Sequence, residues 1–335
     1  MIPQIENTFL HEIEQRTLQD ASNAELIKTT VFELQNQGFL AICSRLAVHL
    51  CKRNASLIKG HVLVQTSPSA AYNFQETLDH ARLYVSEFEK AGVPKSRYCI
   101  KIMATGPGLN AAKVLQDQGI STLGTGVFSV AQAVACSQAG CLYISPYYNE
   151  IRTHLNPALW PHVQDPALEH PFSHRIAQMV QAYKTLFAAT GKEQPLIKNA
   201  GFRSYKEVIA SAELGCHSAT IPQDLLEEFK ILTPGDTPLP VSPKIASLQI
   251  PYADNVPIPS LRLEELLTRH LGEGRGCTGK DLEVDLLADG GKALDLAIEK
   301  DSDAARMVKE ALDMFIFCEE ETRKLIKGTA LVASL

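Results

Sequence analysis

What the chain lacks narrows it first. No apolar run approaches the roughly 18 residues that a bilayer-spanning helix needs, so a membrane-spanning protein is not expected. Basic residues are not in excess: 32 Lys and Arg stand against 38 Asp and Glu, a formal net charge of −6. That balance leaves no electrostatic footprint for nucleic acid or an anionic membrane, and neither is expected as a partner. Charged residues make up 21% and hydrophobic ones 45%, which excludes a disordered, collagen-like or simple coiled-coil chain. No two of the eight cysteines form a Cys-x-x-Cys pair. Several sit inside apolar runs, as in Ala41-Ile42-Cys43 and Tyr98-Cys99-Ile100, so buried reduced thiols explain them better than disulfides or a zinc site. The first twenty residues carry acids and lack an apolar segment, so no secretory leader is expected and a cytoplasmic location is.

What the chain has is alternation. Apolar runs suited to buried parallel strands lie at 17–20, 38–43, 61–66, 98–104, 119–124, 141–146, 195–199 and 216–221. Helical patterns lie at 25–34, 70–91, 108–118, 130–138, 174–189 and 205–214. Parallel strands require long crossovers, usually helical, and eight such units in about 230 residues suit a single (β/α)8 TIM barrel better than an open sheet. Between residues 231 and 260 there are seven prolines, so this stretch is expected to be an extended linker or arm. Helical patterns resume at 261–271, 292–300 and 301–327, the last with Met307, Ala311, Met314, Phe315, Cys318 and Leu325 near one stripe. The expected organisation is an α/β barrel over 1–230, the Pro-rich arm over 231–260, and a C-terminal helical extension over 261–335 packing on the barrel. Val62, Val64, Ile100, Ile102, Leu142 and Ile144, or their strand neighbours, are expected to fill the interior, depending on register.

Lys101 is the most informative residue. It lies in Tyr98-Cys99-Ile100-Lys101-Ile102-Met103-Ala104, a strand with apolar neighbours on both sides. Such strands are buried on both faces, and burial disfavours the charged form of an amine. A neutral amine attacks a carbonyl to give a Schiff base. The ordinary alternative is a lysine that snorkels from a strand end or pairs with a carboxylate, and context alone leaves both open.

The run from Lys101 to Asn110, KIMATGPGLN, followed by AAKVLQDQGI, resembles the KIPAT-x-x-G-x-x-A-x-K-x-L-x-x-x-G-I stretch of the transaldolase and fructose-6-phosphate aldolase family. The resemblance continues through 121–150, in Asn199-Ala200-Gly201-Phe202-Arg203 and in 215–226, and 299–327 is similar to the C-terminal helix of the longer transaldolases. It implies a class I enzyme that makes or breaks a C–C bond through a Lys101 Schiff base with a ketose, without metal or organic cofactor. It further implies that Gln65, Thr125 and Tyr147 hold a catalytic water and that Asp20 takes a proton beside the breaking bond. Ser145 would face the substrate, Gly201 and Arg203 would occupy the phosphate site, and the long transaldolases suggest a homodimer. Each residue also has an ordinary reading: Gln65 and Thr125 as satisfied interior polars, Tyr147 as packing, Asp20 as a helix N-cap. Gln65 and Tyr147 lean towards the aldolase branch, Ser145 and the last helix towards transaldolase.

Three departures bear on substrate. Glu150 stands where the family has a phosphate-binding arginine, and a carboxylate there would repel a phosphate dianion. Gly201 replaces the phosphate-site serine. The second-strand T-T-N-P-S motif is missing, and an alignment on 38–44 would put Ile42 at its asparagine. A weakened phosphate preference is therefore expected, with Arg152 or nearby histidines as candidates for another anion site. His154, His162, His170 and His174 cluster in the loop after the sixth of the apolar runs, 141–146. His170 and His174 have i, i+4 spacing, but Pro171 lies between them and no cysteine or acid completes a signature, so no metal site is expected. A non-catalytic barrel of the same type, acting as a binding or regulatory protein, is the other class open to this sequence.

Overall fold

The computed structural model describes residues 23–232 and 281–333, together with 252, 261–263 and 266. Six strands, β1 (Val62–Gln65), β2 (Tyr98–Met103), β3 (Thr122–Val127), β4 (Tyr143–Pro146), β5 (Leu196–Asn199) and β6 (Ser218–Ala219), pair in sequence order. All five pairings are parallel, and each strand overlaps a run read as strand from sequence. Helices α1 (Ala24–Leu34) and α2 (Phe39–Ala55) precede β1. Helices α3 (Phe74–Ala91), α4 (Gly106–Asp117), α5 (Val130–Gln138), α6 (Ser173–Thr190) and α7 (Tyr205–Glu213) return the chain between successive strands, and α8 (Gln223–Ile231) follows β6.

The expected eight strands are not seen among the described residues; the sheet is a six-stranded parallel one of barrel type. The run 38–43 is a correction, because it opens helix α2 rather than forming a strand. A short apolar run is ambiguous between strand and buried helix, and length decides. Here the apolar positions recur through Val48, burying Ala41, Ile42, Leu46 and Val48 along one helix that runs to Ala55. Ile42 therefore occupies no strand position; it packs with Ile27, Val31 and Ile326 in a small core outside the sheet. The run 17–20, with Asp20, lies outside the described residues.

Register settles which residues face inward. Val62, Val64, Ile100, Ile102 and Ile144 belong to the large core that also holds the helix residues Leu78, Leu109, Val134 and Val180. Their strand neighbours make a separate cluster of Cys99, Leu123 and Tyr143, with Leu63, Leu142 and Leu196 against it. Strand alternation then puts Gln65, Lys101, Thr125 and Ser145 on that second, inward face. Gln132 fixes the ends of β2 and β3 relative to each other. It is fully buried, its Nε2 donates to Ala104 O and Gly126 O at 2.9 Å each, and its Oε1 accepts from Phe128 N and Ser129 N, closing a capping box at the start of α5.

The C-terminal part docks on this frame. Helix α9 (Ala288–Lys300) becomes regular after a left-handed turn at Asp289, Gly290 and Gly291. A β-carbon on Gly106 would collide with Gly291 O, so the start of α4 and this turn meet backbone to backbone. Helix α10 (Ser302–Ala333) is the long amphipathic helix seen in the sequence. Within the proline-rich stretch, Tyr252 is buried and its hydroxyl donates to Pro195 O at 2.5 Å, next to the start of β5.

Candidate active site

Gln65 and Lys101 are register partners on β1 and β2, and Thr66 N donates to Lys101 O at 3.0 Å. Lys101 is 1% exposed. Across the next two pairings, Met103 partners Thr125 and Thr125 partners Ser145. Just beyond β4, Tyr147 bridges to Ala200, and its hydroxyl lies 3.3 Å from Thr125 Oγ1. Burial pushes the Tyr147 hydroxyl up to about 12, against the Thr125 hydrogen bond, so it stays a donor at neutral pH. Gln65 Nε2 and Ser145 Oγ are buried and make no hydrogen bond. Four expected positions from four strand ends thus share one face, two of them with buried polar atoms unpaired.

Aromatic rings shape the wall around Tyr147. Phe128 meets its ring edge-on at 5.5 Å and Phe315 of α10 at 6.4 Å. The same helix reaches both sides of the strand ends. Ser67 Oγ, just after β1, donates to Glu319 Oε2 at 2.6 Å, and Arg306 Nη2 donates to Glu150 Oε1 at 2.7 Å. Helix α10 therefore crosses the carboxyl ends of the strands, where barrel enzymes carry their sites. Phe315 was assigned from sequence only to an amphipathic stripe.

The loop after β4 supplies the rim. Glu150 accepts from both Arg306 and Arg152, at 2.7 and 2.6 Å, and these two cations hold its carboxyl below the usual range. Arg152 also lies 3.0 Å from Glu310, so it is committed to this ion cluster. Gly201 sits in the left-handed region at φ +73°, and a β-carbon there would stand 3.2 Å from Tyr147 Cβ. Arg203 Nη1 donates to His154 Nδ1 at 3.3 Å. Burial, with the charge of Arg203, pushes His154 down to about 4 against the opposing pull of Asp224.

Beneath the rim lies a network that the sequence did not reveal. Glu207, 1% exposed, accepts from Arg203 N at 2.6 Å, Trp160 Nε1 at 2.7 Å and Asn149 Nδ2 at 2.8 Å. Burial raises its carboxyl above the ordinary value despite these donors. His170 Nδ1 accepts from Phe172 N and its Nε2 faces Asn149 Oδ1 at 3.0 Å, so both ring nitrogens are engaged and the ring is neutral. Among the described residues no group of three or more His, Cys, Asp and Glu is placed to hold a metal ion. The only trace of Glu207 in the sequence is Ser204-x-x-Glu207, a capping-box spacing that reads as structural.

Lys198 was also passed over. It is fully buried on β5 and its Nζ lies 4.9 Å from the centroid of the Tyr143 ring, near the inner cluster with Cys99 and Leu123. Half of the signal that singled out Lys101 was present in Pro195-Leu196-Ile197-Lys198-Asn199, where apolar residues precede the lysine but a polar one follows it.

Comparison with known proteins bears on this arrangement. A family model described as Transaldolase/Fructose-6-phosphate aldolase matches residues 12–247. A transaldolase of Xanthomonas oryzae pv. oryzae (strain PXO99A) is 31% identical over 247 residues, 72% of this chain and 73% of that protein. One of Xanthomonas campestris pv. campestris (strain B100) is 30% identical over 260 residues, 75% and 76%. One of Allorhizobium ampelinum is 29% identical over 253 residues, 72% and 74%.

Proposed function

The chain belongs to the transaldolase/fructose-6-phosphate aldolase family and is a transaldolase-like enzyme, and from that premise we propose a class I reaction carried by Lys101. The observation that supports it most is Lys101 itself, a lysine 1% exposed on the inward face beside Gln65 and in the same wall as Thr125 and Tyr147. The neutral amine attacks the ketone carbon of a dihydroxyacetone-type donor, forming a C–N bond while the carbonyl oxygen takes a proton. That hydroxyl then leaves as water, which requires a second proton. A water held by Gln65, Thr125 and Tyr147 relays both, with the Tyr147 O–H as donor. The protonated imine accepts the electron pair when the adjacent C–C bond breaks, and the proton of the neighbouring hydroxyl goes to Asp20. Reversal with another aldehyde is the transfer, and release of the donor is the aldol cleavage.

Ser145 Oγ, buried and unpaired, is a donor-facing group in this reading. Gly201 and Arg203 face the far end of the substrate. The barrel of 1–230 carries the chemistry, and the extension of 261–335 serves it through Phe315, Arg306 and Glu319. Phosphate preference is weakened, because Glu150 replaces a cation and draws Arg152 and Arg306 into its own ion pairs.

Borohydride reduction with dihydroxyacetone, read by intact mass, tests the chemistry. The expected result is one covalent adduct per chain that disappears in Lys101→Met. Absence of any adduct with dihydroxyacetone, fructose and fructose 6-phosphate overturns the imine. Comparable kcat/KM for fructose and fructose 6-phosphate is expected; a strong preference for the phosphate contradicts the reading of the rim.

A further inference from the structure

Arg203 presents one edge of its guanidinium uncommitted. Nη1 is engaged by His154, whereas Nε, on the opposite edge beside Nη2, is buried and makes no hydrogen bond. Nε–H and Nη2–H point the same way and match the two oxygens of a planar oxyanion, the side-on fork of arginine. A buried guanidinium donor left without an acceptor is costly, so an acceptor that reached this edge would be held with gain.

Charge selects which acceptor. A phosphate dianion brings two negative charges, and of the three rim arginines described above only Arg203 is not drawn into an ion pair with a carboxylate. Arg152 and Arg306 are spent on Glu150 and Glu310. His154 is neutral above about pH 4, and its Nδ1 accepts from Arg203 rather than adding a second cation. Glu150 opens the turn Ile151–His154 with a carboxylate of its own, and the charge of Asp224 reaches His154. Gly201 adds no hydroxyl. A single monoanion balances a single guanidinium in this setting.

The edge is also held still. Glu207 accepts the backbone N–H of Arg203 at 2.6 Å and the Trp160 indole at 2.7 Å. One buried carboxylate thereby pins both the start of the Arg203 turn and the loop that carries His154.

We propose that Arg203 and His154 form a carboxylate subsite, so that the substrate this enzyme prefers ends in a carboxylate where the family's usual substrates end in phosphate. The inference rests on the active-site reading above, and the test separates the two. Lys101→Met cannot form an imine, so equilibrium binding to it by calorimetry reports the far end alone. Three ketoses that differ only at C6 are compared: fructose, fructose 6-phosphate and fructuronate. Fructuronate is expected to bind at least about tenfold more tightly than either of the others, and Arg203→Lys, which keeps the charge but loses the fork, is expected to erase that margin. His154→Arg is expected to move the preference towards fructose 6-phosphate by supplying the second cation. Equal or tighter binding of fructose 6-phosphate to Lys101→Met overturns the subsite, as does a carboxylate margin that survives Arg203→Lys. Trapping of dihydroxyacetone by the unaltered enzyme, which has no far end to bind, reports the Schiff base independently.

Discussion

Lys101, Gln65, Thr125 and Ser145 stand on strands whose ladder pairs fix each backbone against the next, whereas Glu150, His154, Trp160 and Arg203 stand on loops held by side chains. The inner wall carries residue types that fit the family's chemistry, and the rim is where the sequence departs from the family pattern. Strand register leaves little freedom to move a catalytic atom without moving its neighbours. A rim fixed by Glu207, Asn149 and an ion cluster can exchange partners without disturbing the sheet. In the proposed reaction, chemistry and specificity would thus fall to parts of the molecule with different mechanical support.

The largest effect that tests this division is expected from Tyr147→Phe, which keeps the ring between Phe128 and Phe315 but removes the hydroxyl facing Thr125. Turnover should fall by about 10²-fold with KM little changed, the mark of a lost proton relay. A fall confined to KM would move Tyr147 from the wall's chemistry to binding.

Acid should act on both regions. His80, which accepts from Ser67 N behind the wall, and His170 in the rim are each 5% exposed, and burial pushes both down to about 4. Their folded values lie below the unfolded value near 6.5, so the unfolded chain binds protons first as pH falls. Stability present above pH 6.5 is lost between about 6.5 and 4, on the order of 3 kcal/mol per histidine at the acid end. Urea midpoints at pH 7 and 5 should therefore differ, and His80→Gln and His170→Gln should each flatten the difference. If only His170→Gln does so, the rim opens apart from the wall; identical midpoints at both pH values would contradict the sign.

The smallest effect is expected at the rim surface. Glu150→Ala breaks a part-exposed ion pair, so stability should change by about 1 kcal/mol or less, and less still in high salt. The same change releases Arg152 and Arg306 and should improve kcat/KM for fructose 6-phosphate several-fold over fructose. An unchanged ratio would show that the ion cluster does not govern substrate charge.

Local pattern made much of the wall legible. Apolar runs bounded by turns gave all six described strands, and a lysine between apolar residues gave Lys101. The failure at 38–43 came from stopping at six residues of a pattern that continues to Ala55, where helical length outweighs strand composition. Inward and outward faces stayed open because both sides of these strands are apolar, so alternation was silent until register chose Lys101's face. The rim was least legible. Trp160 and Glu207 are 47 positions apart and meet only after folding, and Arg203's open edge depends on which partner His154 takes.

Gly201 lets backbone shape decide which side chain the rim can carry. Its backbone is left-handed, and a side chain there costs about 1–2 kcal/mol from handedness alone before the crowding against Tyr147 Cβ. A serine at this position would place its hydroxyl only in a strained turn beside Tyr147. The turn would have to rebuild before this position could carry any side chain at ease, so the backbone itself keeps a hydroxyl away from Tyr147.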